Sequence, residues 1–209
     1  MTRSGNSVVI VDAVRTPIGK RNGGLSTLHP GETLGLVQKA LIERTGIDPA
    51  LVEQVVGGVV SQAGEQAFNL TRTAWLGAGL PLTTAATTVD TQCGSSQQAT
   101  SLAASLVGSG VVDVAMACGV EAMSRVPIGA SGSKKLGLGV PIPPPYFDQY
   151  EMTSQFEGAE RIADKWSITR EDTDAFGLAS QQRAIQAWEE DRFAGQYITV
   201  EAPDVDEEG

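Results

Sequence analysis

Apolar residues in this chain fall into short runs broken by Gly and Pro, alternating with longer stretches of helical spacing. Residues 7–14 (SVVIVDAV) are a β-branched run closed by Arg15-Thr16-Pro17, the pattern of a strand buried on both faces. The Gly- and Pro-punctuated stretch through Pro30 reads as a loop. Leu34, Val37 and Leu41 share one stripe of a helix over 31–45, with Glu32 in its first turn and Gly46 at its end. Asp48-Pro49 has the form of an N-cap followed by proline at the first helical position. Val55 to Val60 predicts a second strand, Asn69 caps a helix running to Gly79, and residues 86–90 (ATTVD) predict a third strand. A helix of small residues over 94–107 and a fourth strand from Val111 to Ala117 follow. This alternation predicts an α/β layered fold, a parallel-rich sheet with helices on both faces.

The pattern changes after Arg125. Residues 129–145 (GASGSKKLGLGVPIPPP) are loop-like, with four prolines in positions 141–145. Two amphipathic helices follow, over 154–166 and 170–190. The second has Thr169 as N-cap and Phe176, Ala179, Ala184, Ala187 and Trp188 on one face. Residues 197–201 (YITVE) resemble the opening of a strand. Two domains are expected, 1–125 and 126–209, the second a partial helical one.

Composition narrows the function classes. The 209 residues are 41% apolar, enough for a core, and the two cysteines exclude a disulfide scaffold. No apolar run approaches the ~20 residues of a membrane span. The opening MTRSGNS leads straight into the first apolar run, with no secretory pattern, so a cytoplasmic setting is expected. The formal net charge is −10, with five acids in the last nine residues. That balance argues against nucleic acid and anionic membranes as partners.

Cys93 is the residue with chemical promise. It lies in Val89-Asp90-Thr91-Gln92-Cys93-Gly94-Ser95-Ser96, between a predicted strand end and a predicted helix start. Open α/β sheets place their sites at the carboxyl ends of strands. A helix N-terminus brings unpaired N–H groups and the positive end of its dipole to the sulfur, a setting that suits a nucleophile and can hold an oxyanion. A buried, inert cysteine is the competing reading. Cys118, ending a predicted buried strand, reads as a small core residue. His29, the sole histidine, sits beside Pro30 and reads as a turn residue. Asp12, Glu121 and Arg125, near strand ends, read as ion pairs or caps.

The segments Arg15 to Lys20 (RTPIGK), Asp90 to Ala99 (DTQCGSSQQA) and Cys118 to Arg125 (CGVEAMSR) occur in the order and spacing of the thiolase family, which they resemble. The similarity continues through Gly79-Leu80-Pro81, Ala159 to Ala163, Asp174-Ala175-Phe176 and Arg192-Phe193. The QFEGAERIA stretch looks most like actinobacterial thiolases that shorten steroid side chains. Three positions depart from the family pattern: Asp90 replaces a small or amide residue, Ser96 a common glycine that leaves more room beside Cys93, and Cys118 a frequent glycine.

The resemblance implies an acyltransferase of lipid metabolism, in fatty-acid β-oxidation or steroid degradation. Its reaction is CoA-dependent thiolytic cleavage of a 3-ketoacyl-CoA, or the reverse Claisen condensation. Cys93 matches the acylated nucleophile, and Met152 aligns with a methionine lining the acyl pocket. Coenzyme A is the co-substrate, with no metal and no covalently bound cofactor. Family members pair as homodimers or tetramers. The family's second α/β half, with its Gly-His-Pro segment and second catalytic cysteine, has no match here, so a complementary C-terminal half is an expected partner. The alternative is a catalytically inactive thiolase-like fragment acting as a scaffold or partner. A ketoacyl synthase shares the fold, but Arg15-Thr16-Pro17 and Glu121-Ala122-Met123-Ser124 argue against it.

Overall fold

The computed structural model describes residues 7–133, 135 and 137–203. Strands β1 (Gln54–Gly58), β2 (Ala85–Val89) and β3 (Ala115–Gly119) form a parallel sheet in the order β2-β1-β3. Gln54 stands opposite both Ala85 and Ala115, and Gly58 opposite both Val89 and Gly119, so all three carboxyl ends finish together. Helices α1 (Pro30–Thr45) and α2 (Leu70–Gly77) pack on one face, and α3 (Ser95–Gly108) on the other.

The central strand explains why its sequence is apolar throughout. Val55 faces Ile42, Trp75 and Met116, while Val56 faces Ala99 and Ala103 of α3. Small residues set the layer spacing. A Cβ on Gly35 would stand 2.8 Å from the Ala74 carbonyl oxygen, and one on Gly57 would strike Thr71. Helix α1 starts where the sequence predicts. His29 is its N-cap: its Nδ1 accepts the Gly31 N–H, and the Glu32 carboxylate accepts the His29 N–H at 3.2 Å. Gly46, at φ 64°, ends it. Asn69 precedes α2 but does not cap it. Its side chain instead reaches β2, donating to Ala86 O and accepting from the Thr88 hydroxyl.

Three strand expectations are corrected. The strand expected from Val111 begins only at Ala115, because the chain first turns back on α3. Gly110 takes φ 70°, and the Val111 N–H donates to Leu106 O. The run 7–14 has strand composition but is not a strand: no neighbouring strand offers it a ladder among the described residues. Val9 and Val11 are exposed, and Ile10 is 81% exposed. The strand expected over 197–201 reduces to one bridge, with the Arg15 N–H on Gln196 O and the Ile198 N–H on Arg15 O.

Two compact units result. One holds the described residues through Ser131 and those from Gly195 onward, and the other is Gly132–Ala194. The second unit contains α4 (Pro145–Gln149), α5 (Gln155–Trp166) and α6 (Arg170–Glu189). Ser154 caps α5, and Thr169 with Asp172 forms a capping box on α6, as the sequence predicts for Thr169. The expected buried face of α6 is not buried. Phe176 is exposed, Trp188 stays exposed despite an edge-on contact with the Phe193 ring at 5.0 Å, and only Ala179 and Ala187 are half-buried. Among the described residues no helix is long and apolar enough to cross a membrane.

Candidate active site

A tight turn carries the chain from β2 into α3. The Asp90 carboxylate accepts the Gln92 N–H at 2.7 Å, an Asx turn that favours a sharp change of direction. Gln92 then takes φ 55°, a left-handed conformation costing an ordinary residue roughly 1–2 kcal/mol. Ser95 holds that turn closed. Its hydroxyl accepts the Thr91 N–H at 3.0 Å and donates to Gln92 O at 2.6 Å. Cys93 therefore sits at the tip of a braced turn, exposed, two residues before α3 begins.

Cys93 opens into a cavity of about 290 Å³ with Gly58, Ser96, Gly119, Val120 and Glu121 among its walls. Two glycines let those walls meet. A Cβ on Gly58 would stand 2.5 Å from the Ser95 carbonyl carbon and the Ser96 nitrogen, and one on Gly119 would strike the Ser96 hydroxyl. The ends of β1 and β3 thus press directly on the first turn of α3.

The charged residues near the strand ends act as braces. Glu121 accepts from the Val60 N–H at 2.5 Å and the Ser61 N–H at 3.3 Å, and its second oxygen accepts from Gln66 Nε2 at 3.1 Å. Buried Gln66 also accepts the Ala122 N–H. Arg125 grips Glu65 through two hydrogen bonds of 2.5 and 2.6 Å, which hold the Glu65 carboxyl below its usual range. Asp12 pairs with Arg44. His29 caps α1 and does not line the Cys93 cavity. Among the described residues no group of three or more His, Cys, Asp or Glu side chains could hold a metal ion. Met152 lies in the second unit, between α4 and α5, and is 58% exposed.

Cys118 belongs to the core beside α1. Burial pushes its thiol up to about 11, opposed by a hydrogen bond from Gln38 Nε2 at 3.6 Å. Iodoacetamide at pH 8 is therefore expected to label Cys93 first, with native Cys118 at least about tenfold slower by peptide mapping. A raised folded value means stability is intact below the unfolded value of 9.0 and falls as pH rises from there to about 11. That alkaline loss, followed by urea midpoint, should shrink in Cys118→Ala.

The thiolase N-terminal domain family matches residues 8–208. The chain belongs to the thiolase family. It is 41% identical over 198 residues to the steroid 3-ketoacyl-CoA thiolase FadA6 of Mycobacterium tuberculosis, covering 92% of this chain and 49% of that protein. It is 38% identical over 200 residues to a 3-ketoacyl-CoA thiolase of Shewanella baltica, covering 94% and 50%. Among solved structures it resembles the acetyl-CoA acetyltransferase of Bacillus anthracis, with TM-score 0.78 and 33% identity, over 94% of this chain and 52% of that one. The chain thus spans about half the length of the curated relatives it matches. The family and the α/β layered fold expected from the thiolase-like segments are borne out.

Sequence reasoning missed Gly58, Gly119 and Gln66 as parts of the site's frame. The glycines left a signal, since each sits at the last position of an apolar strand, where a side chain would otherwise project. Gln66 left none: its role depends on two loops meeting in space.

Proposed function

We propose that this chain supplies the acyl-accepting nucleophile of a thiolase, with Cys93 as the catalytic residue. The observation that carries the reading is an exposed cysteine on a braced turn, at the head of α3, in a cavity framed by two glycine-ended strands. The Cys93 thiolate attacks the keto carbon of a 3-ketoacyl-CoA, forming a C–S bond and moving the carbonyl electron pair onto oxygen. Backbone N–H groups, that of Cys93 among them, hold that oxyanion. Collapse restores the carbonyl and breaks the carbon–carbon bond, and acetyl-CoA leaves as its enolate and takes a proton. The CoA thiolate then attacks the acyl-Cys93 thioester and returns the Cys93 thiolate. Two easier displacements replace one difficult cleavage.

The proton donor and the base come from a complementary C-terminal half, since His29 is engaged as a cap and Cys118 is a core thiol. Within the expected second domain, 126–209, the unit Gly132–Ala194 acts as part of the domain that covers the substrate, where Met152 lines the acyl pocket. Similarity to the steroid 3-ketoacyl-CoA thiolase FadA6 supports a steroid 3-ketoacyl-CoA substrate. The test combines the chain with a complementary half, a 3-ketoacyl-CoA and CoA. The reading predicts release of acetyl-CoA by the pair and none by either part alone. A second reading, a scaffold without chemistry, is favoured by the engagement of the chain's sole histidine in a cap. An assembled pair that never cleaves substrate would establish it.

A further inference from the structure

We propose that Glu121 is a positioning residue for acyl transfer. Its carboxylate fills a backbone anion-binding nest in the wall of the Cys93 cavity, and so leaves the N–H of Cys93 as the place where the keto oxygen of the substrate settles. This rests on the reading of Cys93 as the nucleophile.

The nest lies where the chain leaves β1. The N–H groups of Val60 and Ser61, successive along the backbone, both donate to one oxygen of Glu121, at 2.5 and 3.3 Å. Successive N–H groups turned to one point form a concavity that binds anions. Here the anion is the protein's own side chain. Val60 and Glu121 line the same cavity as Cys93. An unfilled nest there would offer a carbonyl oxygen two donors at the wrong place.

The carboxylate is held on the nest from behind. Its second oxygen accepts from Gln66 Nε2 at 3.1 Å. Gln66 is fully buried and its amide is spent: Nε2 also donates to Ser61 O at 3.0 Å, and Oε1 accepts the Ala122 N–H at 2.9 Å. Tying the two loops together does not by itself require a carboxylate in the cavity wall. Arg125 and Glu65 join the same two stretches of chain, and neither lines that cavity. What Glu121 adds is the closing of the Val60 and Ser61 donors.

Alanine at position 121 opens those donors. A keto oxygen held by them is bound but turned away from the Cys93 sulfur. Such non-productive binding lowers kcat and KM by one factor and leaves kcat/KM unchanged, because free enzyme and free substrate still reach the same transition state.

The test compares Glu121→Ala and Glu121→Gln with the parent, each assembled with the complementary half and given a 3-ketoacyl-CoA and CoA. In Glu121→Ala, kcat and KM should fall together by about tenfold, the scale of two further hydrogen bonds, with kcat/KM within about threefold of the parent. Glutamine keeps an oxygen on the nest but turns an NH2 group toward the Gln66 NH2. Its urea midpoint should fall while kcat and KM stay within about twofold of the parent. Acetate should refill the emptied nest. In the 209-residue chain alone, it should slow hydrogen exchange at Val60 and Ser61 and raise the urea midpoint of Glu121→Ala, leaving the parent unmoved. A fall in kcat/KM that tracks lost stability in both variants makes Glu121 a brace only and overturns the proposal. Acetate that protects neither amide overturns it while sparing the functional reading. Acetate protection in an assembled pair that never cleaves substrate, parent included, overturns both.

Discussion

Alanine at position 93 should leave the fold intact and end acyl transfer. Cys93 is exposed, so its replacement should change unfolding stability by no more than about 0.5 kcal/mol in a urea titration. Thiolysis by the chain assembled with its complementary half should fall by at least about 10⁴-fold, the scale seen when a covalent nucleophile is deleted. At 1.36 kcal/mol per decade that is about 5.5 kcal/mol of lost transition-state stabilisation. The pairing matters. A loss of activity with a matching loss of stability would mean only that the turn had collapsed. Activity within a hundredfold of the parent would remove Cys93 from the chemistry.

The second large effect is expected from Gly58→Ala, a change of one methyl group outside the turn itself. Its Cβ would meet backbone atoms of Ser95 and Ser96 at 2.5 Å, and backbone cannot swing aside as a flexible side chain can. Strand β1 cannot retreat either, since Val55 and Val56 are buried between the two helical layers. The strain must lift the start of α3. Overpacking of this kind costs about 1–3 kcal/mol and at times more. Because the same turn carries Cys93, acyl transfer should fall as well, on the order of 10²-fold for a displacement near 1 Å. Gly77→Ala is the control. It meets nothing within 4 Å at the end of α2 and should be neutral or slightly stabilising. Equal stability of the two variants would contradict the packing of β1 against the head of α3.

Much of this arrangement is written locally. Gly46 at the end of α1, Thr169 at the start of α6 and the small residues of α3 follow from neighbours within a turn or two, and these expectations held, whereas His29, read as a turn residue, is the N-cap of α1. Val111 misled because an apolar residue after a helix carries no mark of whether it pairs in a sheet or folds back on the helix. Gly110 was the available hint. Residues 7–14 misled for the opposite reason. Their composition records a burial that the described residues do not provide. The stripe on α6 is a similar case, amphipathic in sequence and largely exposed in its own unit. At the site, Cys93 could be found from its place between strand and helix. The hydrogen bonds that fold Gln92 into a left-handed turn required Asp90 and Ser95 to be seen together in space.

The most direct test of the central claim is to treat the chain with acetyl-CoA, with its complementary half present, and to map the acetyl group by mass spectrometry of the intact chain and its peptides. One acetyl group on Cys93, discharged by free coenzyme A and absent from Cys93→Ala, is the predicted result. An assembled protein that carries no acetyl group on Cys93, or carries it on another residue, would contradict the account.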